Sequence, residues 1–167
     1  MPRLPRPRGG LGGNVSLADQ IEFREAREAD MPGISHVRLA VIENALSVEQ
    51  LQERGITNAS VAASMLTHRK GWVAEQDGRI VAFSMADRAD WSIFALFVLP
   101  GYEQRGLGGH LLDLTLDWLW ENGAERVWLS TGPRTRASRF YEMRGWVCTG
   151  EGTRGDLRFE LSRPAPT

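Results

Sequence analysis

Residues 97–120, FVLPGYEQRGLGGHLLDLTLDWLW, run from an apolar segment through a turn holding Gly101, Gly106, Gly108 and Gly109 into a long amphipathic segment. Glycine loses more backbone entropy on folding than any other residue. Four of them in nine positions therefore point to left-handed backbone, or to a group that approaches the main chain closely. A helix start also leaves N–H groups without intrahelical acceptors, and phosphate suits such groups. A strand that passes through this turn into a helix, with another strand beyond, implies a parallel β-α-β crossover and a sheet covered by helices.

The rest of the chain extends that unit. IEFREA, residues 21–26, alternates as a strand, and Asp30 with Pro32 opens a helix with Ile34, Val37, Val41 and Ala45 on one face. A second, shorter helix is expected over residues 61–67. GWVAEQDGRIVAFSMAD reads as a hairpin whose Asp77-Gly78 pair suits a type I′ turn, and SIFALFV follows as a third strand. In HLLDLTLDWLWENG, alternation of Leu112, Leu114, Leu116, Trp118 and Trp120 competes with a helical face of Leu107, Leu111, Trp118 and Leu119. Length decides for a helix that stops at Asn122-Gly123. RVWLST is then a strand, TRASRFYEMRG a helix ended by Gly145, and WVCTGEGTRGDLRFELS a closing hairpin. The order β α α β β β α β α β β predicts an α/β chain of the α+β type, a mixed sheet with helices on both faces.

Composition bounds the alternatives. A chain of 167 residues, 42% hydrophobic, supports one domain, here expected over residues 21–163, with tails at 1–20 and 164–167. Pro and Gly dominate MPRLPRPRGGLGGN, which offers too little apolar area to offset chain entropy and reads as a disordered tail. Arg3, Arg6 and Arg8 lie there against Asp19, leaving 17 basic and 20 acidic groups for the remainder, a balance that argues against a nucleic-acid footprint on the folded part. Cys148 is the only cysteine, which excludes an intramolecular disulfide or a cysteine-based metal cluster; it reads as a small core residue. The N-terminus lacks an apolar signal region and no apolar run is long enough to span a bilayer, so a cytoplasmic location without a membrane partner is expected.

Three nucleotide-type readings of the glycine turn separate by spacing. Gly101 to Gly106 has the interval of a Walker A loop, but Leu107 and Gly108 stand where Lys and Ser/Thr must grip phosphate and magnesium. Gly106-Leu107-Gly108 begins like a dinucleotide fingerprint, yet Leu111 replaces its third glycine and Ser130 and Thr131 end the next strand where an acidic residue belongs. The third reading fits. VLPGYEQRGLGGHLL between strand and helix, with TRASRFYEMRGW about thirty residues later, strongly resembles the GNAT superfamily of N-acetyltransferases, across residues 21–162 and in the order of elements.

The resemblance implies a fold and a chemistry. The family's Gln/Arg-x-x-Gly-x-Gly/Ala pattern falls on Glu103 to Gly108, with Glu103 departing from the usual first residue. It implies that backbone N–H groups of Gln104, Arg105, Gly106, Leu107, Gly108 and Gly109 hold the pyrophosphate of coenzyme A, and that Leu96, Phe97 and Val98 offer strand edges to pantetheine and to the acetyl carbonyl. A strand N–H near Val98 would polarise that carbonyl. Tyr141 matches the tyrosine that protonates the departing sulfur. With a thiol pKa of about 8.5 and a phenol pKa of about 10, complete proton transfer is uphill by roughly 2 kcal/mol, so the phenol assists chiefly as the thiolate develops.

The family's auxiliary positions are less well matched. Many members keep an Asn seven residues before the tyrosine and some a Glu on the preceding strand; Arg134 and Leu129 stand there. Glu43, beside Asn44 near the end of the first helix, is the candidate base, a solvated carboxylate being the alternative. Arg134, Arg136 and Arg139 bracket the start of the tyrosine helix, where guanidinium groups match coenzyme A phosphates; solvated surface arginines stay an open reading. Of six tryptophans, Trp118, Trp120 and Trp128 have core-like spacing, and Trp72 and Trp91 are kept as groove residues. The expected reaction is metal-free acetyl transfer from acetyl-CoA to an amine, and a homodimer stays open. Its rivals are another acyl group, a non-amine acceptor, or a coenzyme A-binding regulatory module without turnover.

Overall fold

Asp77 and Gly78 take φ of 53° and 79°, the two left-handed residues that a type I′ turn needs, and the strands they join are the second and third across the seven-stranded sheet. The computed structural model describes residues 20–41, 50, 53–132, 136–151 and 155–165. Within them the strands are β1 (Glu22–Glu25), β2 (Arg69–Gln76), β3 (Arg79–Asp87), β4 (Ser92–Val98), β5 (Arg126–Thr131), β6 (Val147–Glu151) and β7 (Leu157–Ser162). The helices are α1 (Met31–Ala40), α2 (Asn58–Ser64), α3 (Leu107–Glu121) and α4 (Arg136–Met143). The seven strands lie in the order β1-β2-β3-β4-β5-β7-β6. Neighbours are antiparallel except β4 and β5, the parallel pair bridged by α3.

Every residue of β3 from Ile80 to Asp87 is buried, as a strand covered on both faces requires. Phe83 turns toward α1, where the Arg38 guanidinium lies 5.6 Å from its ring centroid. The next residue, Ser84, turns the other way and hydrogen-bonds Thr115 of α3 at 2.7 Å. Fully buried side chains such as Phe83, Met85, Leu111 and Phe159 each contribute roughly 1.5–3 kcal/mol. None of the helices among the described residues is long and apolar enough to cross a membrane.

Several expectations shift. α1 ends at Ala40, and Val41 leaves it in extended backbone at φ −84°, ψ 110°, consistent with weak helix propensity in a β-branched residue; Ala45 lies outside the described residues. α2 starts at Asn58 because Thr57 and Ser60 exchange side chain to backbone bonds at 3.0 and 2.9 Å, a capping pair three residues upstream of the expected start. Trp72 is a core residue, 5% exposed and edge-on to Trp118 at 6.0 Å, so its groove reading is corrected. Cys148 is exposed on the edge strand β6, whose five residues all face solvent, so it is no core residue.

Asp30 is buried beneath Arg24, which donates to both carboxylate oxygens at 2.8 and 2.9 Å, while Arg27 N–H donates at 2.7 Å. The hydrogen bonds from Arg24 outweigh burial and hold the Asp30 carboxyl below the usual range. A carboxylate with a depressed folded pKa stabilises above its unfolded pKa of about 4 and loses that contribution as pH falls further. Asp30→Asn is therefore expected to cost about 1–3 kcal/mol at pH 7 and much less at pH 3; denaturant titrations at the two pH values check this.

Candidate functional site

β4 and β5 share a single register pair, Ser92 with Trp128, reinforced by Trp128 N–H to Trp91 O at 3.1 Å. Trp91 takes φ of 61° there and packs against the core. Beyond that pair the strands carry no further pairing, and the β5-facing edge of Leu96, Phe97 and Val98 borders a cleft of about 830 Å³. The edge is where β4's backbone polar groups remain open to a ligand.

The loop after β4 closes one end of the cleft. Gly101, Gln104 and Gly106 take φ of 95°, 66° and 80°, so three left-handed residues fold the chain back on itself. Glu103 fixes the bend: one carboxylate oxygen accepts Gly101 N–H at 2.8 Å and the other pairs with Arg136 at 3.2 Å, tying the loop to α4. The first intrahelical bond of α3 is His110 N–H to Gly106 O at 3.1 Å, so the N–H groups of Leu107, Gly108 and Gly109 precede the helical ladder. A Cβ on Gly106 would meet nothing within 4 Å, and one on Gly108 would sit 3.7 Å from Val98 and 3.9 Å from Phe140. A Cβ on Gly109 would collide with the Arg144 guanidinium. The helix start thus presents donors and positive dipole to a space left open at Gly106 and Gly108 and bordered at Gly109 by the Arg144 guanidinium.

Tyr141 of α4 also lines the cleft, 5% exposed and packed against Phe140, Trp146 and Phe159 with ring centroids 5.2, 5.4 and 6.2 Å away. Burial pushes its phenol well above the ordinary tyrosine range, with the Arg144 charge opposing only in part. The phenol therefore stays protonated throughout the neutral range and is equipped to donate a proton or a hydrogen bond.

Ten of the residues singled out in the sequence meet in this cleft: Leu96, Phe97, Val98, Gln104, Gly106, Leu107, Gly108, Gly109, Arg136 and Tyr141. Arg105 is exposed off its wall, with its guanidinium over the Tyr102 ring at 4.8 Å, and Arg139 is exposed and also off the wall. Glu43 and Arg134 lie outside the described residues. Sequence reasoning missed Val41, Tyr102, Phe140 and Arg144 on the wall. Arg144 lies three residues after Tyr141 and stacks over Phe140 at 4.6 Å; that helical spacing was its available signal. A shallower depression of about 380 Å³ beside the Asp77-Gly78 turn, lined by Gly33 and Arg79 among others, contains none of these groups.

Residues 36–146 match the acetyltransferase (GNAT) family. An uncharacterized N-acetyltransferase of Mycobacterium tuberculosis is 37% identical over 84 residues, 48% of this chain and 54% of the relative. The chain thus spans about half the length of the curated relatives it matches first. Among solved structures, the PaiA N-acetyltransferase of Thermoplasma acidophilum in complex with coenzyme A superposes with a TM-score of 0.73 at 14% identity, covering 86% of this chain and 99% of that one. The yncA structure from Salmonella typhimurium, with its cofactor acetyl-CoA, gives a TM-score of 0.66 at 22% identity, covering 89% and 98%. At these identities the structural likeness speaks for the fold.

Proposed function

The chain belongs to the acetyltransferase (GNAT) family, and from that premise we propose that it transfers the acetyl group of acetyl-CoA to a primary amine by direct attack on the thioester. The observation that carries this reading is the convergence, in one cleft, of a glycine-lined helix start, an unpaired strand edge and a buried tyrosine. Leu107, Gly108 and Gly109 N–H groups bind the pyrophosphate, with Arg136 and Arg144 nearby for its charge. The edge of β4 from Leu96 to Val98 aligns pantetheine, and a β4 N–H near Val98 polarises the acetyl carbonyl. As the carbon–nitrogen bond forms and the carbon–sulfur bond breaks, Tyr141 donates to the sulfur. The attacking nitrogen loses a proton to complete the amide.

That second proton distinguishes two mechanisms. Leu129 is buried at 3% exposure on β5, so the strand carries no carboxylate at the family's base position. For an amine of pKa about 10.4, drawing on the neutral form at pH 7 costs roughly 4 to 5 kcal/mol, against about 1 kcal/mol for an α-amine near 7.8. Without a base, kcat/KM rises tenfold per pH unit below the acceptor's own pKa, and its inflection moves with the acceptor. If Glu43 acts through water, an enzyme inflection below the amine's appears and Glu43→Gln removes it.

The missing strand carboxylate also favours a second reading, a coenzyme A-binding regulatory module. Thiol release from acetyl-CoA, followed with a panel of amines at several pH values, tests both. Amine-dependent release supports acetyl transfer. Tight coenzyme A binding with no release from any amine rejects it in favour of the module. An inflection that stays at one pH for two amines about two units apart in pKa, and is unaltered in Glu43→Gln, rejects both accounts of the proton.

A further inference from the structure

Side chains of β4 point alternately to the two faces of the sheet, so the cleft at its open edge has two sides. Val98 approaches Gly108 and the glycine turn. Phe97, in register with Phe83, turns toward α1, where the Arg38 guanidinium lies 5.4 Å from its ring centroid and 5.6 Å from that of Phe83. Phe97 and Val41, which follows the end of α1, both line the cleft. Arg38 is not itself on the cleft wall but stacks on Phe97, which is; a donor held by the glycine turn from one side would leave its acetyl carbon open to an acceptor arriving over Phe97, next to that guanidinium.

Arg38 is unusual in its partners. Four arginines among the described residues are partly buried: Arg24, Arg38, Arg69 and Arg158. Arg24 meets Asp30, Arg69 meets Asp87 and Arg158 meets Glu160, at 2.8, 2.9 and 3.0 Å. Arg38 has two phenylalanine rings and, among the described residues, no carboxylate. Burial alone depresses its pKa. Stacking on rings attracts the face of a guanidinium, but leaves its edge of N–H donors without a protein acceptor among the described residues and its charge only partly compensated. Those donors match a carboxylate in plane, with two parallel hydrogen bonds.

We propose that Arg38 receives a carboxylate carried by the acceptor, so that the amine acetylated belongs to an amino acid or to a short peptide with a free acid group. This deepens the acetyl-transfer reading and rests on it. A polyamine or other polycation is disfavoured by the same charge, since Arg38 repels a second cation in a site of low dielectric. Phe97 and Phe83 hold the guanidinium in place and leave its edge to select the substrate.

The test pairs free acids with their carboxamides, using the full chain. Amino acids, and dipeptides bearing the same N-terminal residues, are compared as acid and amide with acetyl-CoA as donor. The free acids are expected to show kcat/KM about 10- to 100-fold above the amides. Arg38→Met, which keeps the apolar stem, levels the two, Arg38→Lys restores part of the preference, and KM for acetyl-CoA stays unchanged in both. Free amino acids outpacing dipeptides place the source in a small metabolite; the reverse places it in a peptide. A second arm needs no turnover and measures calorimetric binding of N-acetylated amino acids and their amides to the protein saturated with coenzyme A. Acid-selective binding lost in Arg38→Met supports the proposal even if every amine fails to turn over, an outcome that rejects acetyl transfer alone. Acetylation of amides and polyamines as fast as acids overturns the Arg38 proposal and leaves acetyl transfer standing. Equal binding of acid and amide to the wild-type protein, or acid preference that survives in Arg38→Met, also overturns it.

Discussion

Valine at both Gly106 and Gly108 is expected to lower coenzyme A affinity by at least about 100-fold, equivalent to roughly 2.7 kcal/mol, in a protein that still folds. The loss comes from occupying the space that the helix start keeps open. The Cβ position at Gly106 meets nothing within 4 Å, and that at Gly108 makes only ordinary contacts with Val98 and Phe140. Isopropyl groups built there extend toward a diphosphate that must reach the N–H groups behind them. Gly106 has φ of 80°, so a branched residue there also costs roughly 1–2 kcal/mol of backbone strain. A domain stable by about 5–15 kcal/mol withstands that. Gly123→Val supplies the control, because Gly123 takes φ of 105° at the far end of α3 with nothing near its Cβ position. It should lower the melting temperature comparably and leave coenzyme A binding intact. Calorimetry that finds unchanged affinity in a folded double variant would reject the cradle.

The contrast between those two glycines shows what was legible in the sequence. Gly123 after Asn122 is a helix stop and Asp77-Gly78 a hairpin turn, because each conformation is set by its own few residues. The strands 92–98 and 126–131 and the glycine turn could be read for the same reason: alternation, a left-handed bend and a helix start are local. Features that depend on distant packing were not. Trp72 looked free to line a groove, but Trp118 of α3 packs against it. Cys148 looked like a core residue, but β6 lies at the sheet edge with its side chains in solvent.

The site divides along the same line. The positions from Gly106 to Gly109 follow from spacing, whereas the roles of Glu103 and Arg144 depend on which loop faces which helix. Glu103 looked like a departure from a pattern, yet its carboxylate bridges Gly101 N–H and Arg136 and so holds the bend from outside the helix. Arg136 therefore serves the loop's geometry as well as offering charge to the cleft. Arg38 carries no motif. Its meaning arises only when β4 brings Phe97 beside Phe83 and α1 places a guanidinium over both.

Tyr141→Phe separates the chemical role of the phenol from its packing role. Phenylalanine keeps the ring that meets Phe140, Trp146 and Phe159 and removes only the hydroxyl, for which the described residues supply no hydrogen-bond partner. Replacing a polar group that has no protein partner with an apolar one is close to neutral, so the melting temperature should stay the same or rise slightly. Turnover responds differently. The phenol's pKa lies above its ordinary value of about 10 while a thiol's is about 8.5, so complete proton transfer to the sulfur is uphill by more than roughly 2 kcal/mol. Donation is therefore worth most at the transition state, where sulfur is gaining charge, and its removal should lower kcat by about 10- to 1000-fold with little change in acetyl-CoA affinity. The sign of the shift adds a pH signature. A phenol held above its ordinary pKa remains protonated as pH rises through 10, so the wild-type kcat should show no alkaline limb from this residue below about pH 10. Steady-state kinetics from pH 6 to 10 on both proteins check the pair of expectations. Full activity in Tyr141→Phe would reduce Tyr141 to a packing residue, and a wild-type alkaline limb near pH 8 that disappears in the variant would show a phenol ionising far below the range its burial dictates.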